Sequence, residues 1–96
     1  MAITSILQFH VAVDRIDDAR AVITETLVAT RSFDGCLGVD VMLDADDPTY
    51  FVIVERWASL EADDAYRAWR ASNPASLREI VEGAPQLNRL ETLPGV

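Results

Sequence analysis

From Ile6 to Val13 the chain reads as a strand, with Leu7, Phe9, Val11 and Val13 on one face and Ile6, Gln8, His10 and Ala12 on the other. Asp14 or Asp17 is placed to cap a helix, and the extra acid in its first turn suits the helix dipole. Ile16, Ala19, Ile23, Leu27 and Thr30 then recur at spacings of three and four, which gives one buried stripe. Gly35 falls just past the last turn, where a left-handed residue is wanted. Cys36 to Leu43 alternates again, Leu37, Val39, Val41 and Leu43 against Cys36, Gly38, Asp40 and Met42. Asp44-Ala45-Asp46-Asp47-Pro48-Thr49 is turn chemistry, because aspartates bond their own backbone and proline fixes φ. Tyr50 to Trp57, rich in aromatic and β-branched residues, is the next strand, and so short a connection makes an antiparallel hairpin. Ser59 can cap a second helix with Ala62, Ala65, Tyr66 and Trp69 on its inner side. Asn73-Pro74 interrupts it, and Leu77, Ile80, Val81 and Ala84 repeat the helical spacing in a short continuation that Gly83 helps to close. Leu87 to Leu93 is a weaker final strand whose Asn88, Arg89 and Glu91 suit an edge or an intermolecular position.

The order strand, helix, strand, strand, split helix, strand predicts a single α+β domain over residues 1–96. Right-handed crossovers turn it into the ferredoxin-like βαββαβ arrangement, a four-stranded antiparallel sheet with helices on one face. The main strands are apolar on both sides, so the face without helices would expose Ile6, Phe51, Ile53 or their alternates. Monomers avoid such a patch. Two sheets packing face to face as a dimeric α/β barrel remove it, so a homodimer is expected.

Composition narrows the function. A chain of 96 residues buries only about 60% of the surface its unfolded form exposes, which also favours association. Half of the residues are hydrophobic, enough for a packed core. Sixteen acidic groups against eight arginines, with no lysine, give a net charge of −8 and exclude nucleic acid and anionic lipid as partners. The longest apolar runs, Ile6–Val13 and Phe51–Val54, are far short of a membrane span, and the first residues lack the pattern of a secretory signal. A cytoplasmic location is the resulting expectation. One cysteine and one histidine exclude an internal disulfide and the usual zinc ligand sets.

Three stretches, in this order, resemble the antibiotic biosynthesis monooxygenase (ABM) family. Phe33-Asp34-Gly35-Cys36-Leu37-Gly38-Val39-Asp40-Val41 is similar to the family's lead-in to its second strand, with aspartate in place of a proline and Val39 in place of a tyrosine. Asp46-Asp47-Pro48, followed by Phe51-Val52-Ile53-Val54-Glu55-Arg56-Trp57-Ala58-Ser59, matches its hairpin, third strand and step into the second helix. Leu93-Pro94-Gly95-Val96 is similar to the tail of small quinol-oxidising members. The resemblance implies a dimeric barrel with a pocket in each subunit between sheet and helices. It also implies a cofactor-independent monooxygenase that uses dioxygen on a small aromatic or quinol substrate, with neither metal nor cofactor.

His10, as the one imidazole, and Glu55, on the face of the third strand that carries Trp57, are the candidate catalytic groups for proton transfer. Their structural uses are a hydrogen bond in the dimer interface for His10 and an arginine salt bridge for Glu55. Trp57, Tyr66, Trp69 and Phe51 are candidates for an aromatic slot, and Arg56 for holding an anionic group, as is Arg67. Haem-degrading relatives carry a ligating histidine on the second helical region; here Tyr66 or Glu79 stands in its place, which excludes that use. Cys36 matches the family's cysteine and reads as a small buried hydrophobe. Two other functions remain open: a non-catalytic small-molecule-binding or interaction dimer, and an isomerase of a small phosphorylated compound. Clustered arginines in the pocket would favour the isomerase, an apolar pocket with few polar groups the oxygenase, and a pocket filled by Trp57 and Trp69 the binding dimer.

Overall fold

A computed structural model describes residues 2–96. Strand β1 (Ile3–Val11) leads through a 3-10 turn (Val13–Arg15) into helix α1 (Ile16–Ser32), followed by β2 (Cys36–Leu43) and β3 (Tyr50–Trp57). Helix α2 (Leu60–Ser72), a 3-10 turn (Ser76–Glu79) and β4 (Val81–Glu91) complete the chain. The strands form one antiparallel sheet in the order β2-β3-β1-β4, the ferredoxin-like topology. No helix is long and apolar enough to cross a membrane.

Both helices cover the face that carries Ile3, Phe9 and Val11 of β1 with Ile53 and Trp57 of β3. Helix α1 supplies Ala19, Ile23 and Leu27 to the larger core, closed at one end by Leu77 and Ile80. A smaller aromatic cluster joins Trp57 and Tyr66 to Ile3, with Phe33 and Trp69 packed against them. The Phe33 ring meets Trp57 and Tyr66 edge-on, at centroid distances of 6.1 and 5.3 Å. Ser59 caps α2 by accepting a hydrogen bond from the Ala62 amide at 3.1 Å, as the sequence predicts.

Three local expectations are revised, and one alternative left open by the sequence is decided. β1 starts at Ile3 because Ile3 and Ser5 continue the inward alternation, and it ends at Val11, leaving Val13 exposed. A register shift between Cys36 and Gly38 inserts one extra residue into β2, so Cys36 stands opposite Trp57 on the helix side and Leu37 is 61% exposed. The segment after Glu79 is strand, not helix: Val81 and Glu82 pair with Val11 and His10, and Gly83 has φ +76°. Pro85, two residues on, has no N–H to continue a helix. Finally, Phe51 and Ile53 face the helices, and their alternates Val52 and Val54 occupy the open face. Across that open face Val54 stands opposite Ile6 and Asp40, and Val52 opposite Gln8 and Met42.

Gly35 joins α1 to β2 with φ +90°, and a Cβ there would lie 2.5 Å from Ala62 Cβ at the start of α2. Gly35→Ala therefore meets both a left-handed backbone and a collision between two short, rigid groups. Its expected cost is about 2–4 kcal/mol, the sum of backbone strain and overpacking, read as a fall in the urea midpoint.

Candidate active site

A cavity of about 400 Å³ opens between the sheet and the two helices. Its sheet wall is Leu7 and Phe9 of β1 with Ile53 and Glu55 of β3, inward positions of neighbouring strands. Thr26 and Leu27 come from α1, one turn before its end, and Tyr66, Arg67 and Arg70 from α2. Asn73-Pro74 ends α2, and Ala75, Leu77, Arg78 and Val81 close the remaining side as the chain crosses to β4. Gly83, with no heavy atom within 4 Å of where its Cβ would stand, and Pro85 form the rim on β4.

One wall is built on a chain of ion pairs. Asp63, fully buried, accepts a hydrogen bond from Ser5 Oγ at 3.1 Å and from Arg67 Nε at 3.0 Å, and forms an ion pair with Arg89, whose Nε is 2.6 Å from Oδ2. Arg67 also donates to Glu55 Oε1, which receives the Trp57 indole N–H at 3.2 Å. Arg89 reaches on to Asp64, and that hydrogen bond, with the Asp63 charge, holds its guanidinium above the usual arginine range. The network ties β1, β3, α2 and β4 together, and satisfied partners are what make buried carboxylates tolerable.

The adjoining wall carries a cation with neutral partners only. Arg70 donates from Nε to the Tyr66 hydroxyl at 2.8 Å and from Nη2 to the Thr26 carbonyl at 2.8 Å. The Tyr66 hydroxyl and Thr30 Oγ1 are 2.6 Å apart. The Tyr66 ring lies between two guanidinium groups, Arg67 at 5.0 Å and Arg70 at 5.4 Å from its centroid. Thr26 Oγ1 is the buried side-chain polar atom that lacks a hydrogen-bond partner among the described residues. Arg78 lines the same cavity, and its guanidinium makes no ion pair among those residues.

Of the residues singled out from sequence, Glu55, Tyr66 and Arg67 meet at this cavity. Trp57 is completely buried behind it, and Trp69 packs on Phe33 and under the Arg70 guanidinium at 4.9 Å. Phe51 stacks on Phe9 at 6.0 Å and lines a second groove, between α1 and the β2–β3 hairpin, with Ile16 and Leu43. Arg56 is on the open face, where it donates to Asp40 at 2.8 Å. His10 is also on the open face, tilted against Tyr50 at 4.8 Å, with Nε2 3.5 Å from Asp47 Oδ2. Thr26, Arg70 and Arg78 were not singled out from sequence. The one signal for Arg70 is its spacing of four from Tyr66, on one side of α2. Cys36 is partly buried against both core clusters. Among the described residues no three His, Cys, Asp or Glu side chains gather to hold a metal.

Asp47 illustrates how the hairpin is held. Its carboxylate accepts hydrogen bonds from the Thr49 hydroxyl at 2.7 Å and the Thr49 amide at 2.9 Å, which lower its pKa below 3.8. A depressed carboxyl pKa stabilises the turn above the ordinary value and loses that contribution as pH falls through the depressed one. The Thr49 amide is therefore expected to follow this carboxyl in its NMR shift, with a midpoint below the ordinary aspartate value. A midpoint at or above the ordinary carboxyl value would show that the hydroxyl and amide do not bind the carboxylate.

A family profile described as antibiotic biosynthesis monooxygenase matches residues 2–81. A crystal structure titled antibiotic biosynthesis monooxygenase is similar over 96% of this chain and 99% of its own, at 23% identity and TM-score 0.79. Rv0793 from Mycobacterium tuberculosis is similar over 97% and 96%, at 25% identity and TM-score 0.75. SnoaB from Streptomyces nogalater, a cofactor-independent oxygenase, is similar over 97% of both chains, at 17% identity and TM-score 0.81. No curated protein matches the sequence.

Proposed function

The chain belongs to the antibiotic biosynthesis monooxygenase family, and from that premise we propose that it is a cofactor-independent monooxygenase acting on a small aromatic or quinol substrate in the cavity. The observation that carries this reading is the cavity itself: Leu7, Phe9, Leu27, Ile53 and Leu77 offer flat rings an apolar bed, with cations on one side. In such a reaction the substrate's own anion supplies the electrons that reduce dioxygen. The protein has to favour that anion, orient it and keep water away. Arg67 is balanced by Glu55 and Asp63, but Arg70 and Arg78, without carboxylate partners among the described residues, leave the cavity wall net positive, which stabilises a phenolate. Glu55 is the carboxylate within reach to take the proton, held in place by Arg67 and the Trp57 indole. Trp57 and Trp69 support the slot from behind Tyr66.

Oxygen uptake by the purified, metal-free protein against a panel of hydroquinones, naphthols and anthrones tests the reading. Uptake that scales with enzyme is expected with at least one ring system, and none with any of them ends the oxygenase reading. An isomerase of a phosphorylated compound is favoured by one observation, the three arginines. Arg67 is already neutralised by Glu55 and Asp63, however, and the remaining lining is largely apolar, so the oxygenase is the better fit.

The protein acts as a homodimer in this proposal, supported by the open sheet face. Ile6, Val52, Val54, Met42 and Leu90 lie there without helix cover, and Met42 and Leu90 are 51% and 46% exposed. His10 and Arg56 then belong to the sheet–sheet interface. Sedimentation equilibrium at micromolar concentration reads the stoichiometry, and a monomer there sinks the dimer. We place its action in the cytoplasm as part of this proposal, and fractionation of cells is its test.

A further inference from the structure

We propose that the cavity is selective for ring compounds bearing a carboxylate, which Arg70 and Arg78 receive. The inference rests on the cavity being the substrate site, and it goes on to name the substrate class.

The argument begins with charge. The chain carries 16 acidic groups against eight arginines, yet the cavity is lined by three arginines and one carboxylate. Arg67 has two carboxylate partners, Glu55 and Asp63. Arg70 has none: every acceptor around its guanidinium is neutral, the Tyr66 hydroxyl, the Thr30 hydroxyl and the carbonyls of Thr26 and Asn73. Those bonds fix the orientation of the group and leave its charge uncompensated. A cation so placed, beside apolar walls that weaken screening, attracts an anion far more strongly than a surface arginine does. Arg78 adds a second guanidinium on the same cavity, with no ion pair among the described residues.

An independent observation points to the same place. Thr26 is 9% exposed and lines the cavity, and its Oγ1 is buried with no partner. A buried hydroxyl without a hydrogen bond costs stability, so such an atom calls for an explanation. Rotation about χ1 exchanges its hydroxyl with its methyl group, and a bound oxyanion gives the hydroxyl an acceptor. One uncompensated cation held in place, one exposed cation and one spare donor suit the planar, singly charged carboxylate, which arginine binds through paired N–H groups.

The test compares two probes that differ in the carboxylate alone, 1-hydroxy-2-naphthoic acid and 1-naphthol, by calorimetric titration at low and high salt. The acid is expected to bind at least about tenfold more tightly, the scale of one charge-assisted hydrogen bond, with a preference that shrinks as salt rises. Arg78→Gln and Arg70→Gln are each expected to bring the ratio towards one, and circular dichroism confirms that the variants are folded. Arg78 is exposed, so its variant keeps the test usable if Arg70→Gln does not fold. Equal affinity for the two probes, or a preference that survives in Arg78→Gln and in any folded Arg70→Gln, overturns the proposal. Oxygen uptake with neutral quinols together with equal binding would sink the carboxylate preference and leave the oxygenase standing. Selective binding of the acid without oxygen uptake by any ring system would do the reverse. Binding of neither probe overturns the cavity as the substrate site, and this proposal with it.

Discussion

Replacing Asp63 with alanine is expected to lower the stability of the fold by about 3–5 kcal/mol, the range for breaking a buried pair by removing one partner. Asp63 has no solvent exposure, and three donors from three different elements converge on it: Ser5 from β1, Arg67 from α2 and Arg89 from β4. Without the carboxylate, Arg67 keeps Glu55 and Arg89 keeps Asp64, but the Ser5 hydroxyl is left buried and unpaired. A domain of this size has about 5–15 kcal/mol in total, so the loss is a large share of its stability. Asp64→Ala provides the contrast. Its carboxylate is 58% exposed and its bond to Arg89 lies at the surface, so the loss is expected to stay below about 1 kcal/mol. Urea titration followed by circular dichroism reads both. Equal losses would mean that burial of Asp63 does not matter, contrary to the network described.

The second large effect is at Trp57. Trp57→Ala is expected to cost about 3–5 kcal/mol, as truncating a large buried aromatic does. The ring is fully buried, lies 4.9 Å from Tyr66 and 6.1 Å from Phe33, and its N–H is spent on Glu55 at 3.2 Å. A residue whose main work was stacking on a ligand would lose affinity and leave the urea midpoint nearly unchanged. A midpoint that moves by less than the equivalent of about 1 kcal/mol would therefore contradict its place in the core.

Alternation and helix spacing carried most of the fold because they follow directly from which side chains must leave water. Ile16 to Thr30 and Tyr50 to Trp57 are cases where the period agrees with the folded element, although α1 starts at Ile16 behind Arg15 with no side-chain cap from Asp14 or Asp17. The pattern failed where one residue changes the phase. The extra residue at the start of β2 places Cys36 inward and Leu37 outward, and alternation counted from either end misses it. It failed again at Val81 to Ala84, where apolar spacing allowed a helix but pairing with β1 decided for a strand. The site was half legible. Glu55 and Tyr66 follow from their faces on β3 and α2. Asp63, by contrast, sits on a helix full of acids, and only the folded chain brings Ser5 and Arg89 to it. Arg70 is likewise an ordinary helical arginine until α1 presents Thr26 and Thr30 to its guanidinium.

The two helices are fastened differently. Helix α1 buries Ala19, Ile23, Thr26, Leu27 and Thr30, whereas α2 buries only Tyr66 and the charged Asp63. Apolar burial responds little to added electrolyte at moderate concentration; of the ion pairs on α2, the exposed one between Arg89 and Asp64 weakens with it most, and those on buried Asp63 much less. The attachment of α2, the helix that bears Arg67 and Arg70, therefore depends on ionic strength more than that of α1 does. Backbone amides of α2 are expected to exchange with deuterium faster as sodium chloride rises, while those of α1 hold their rates.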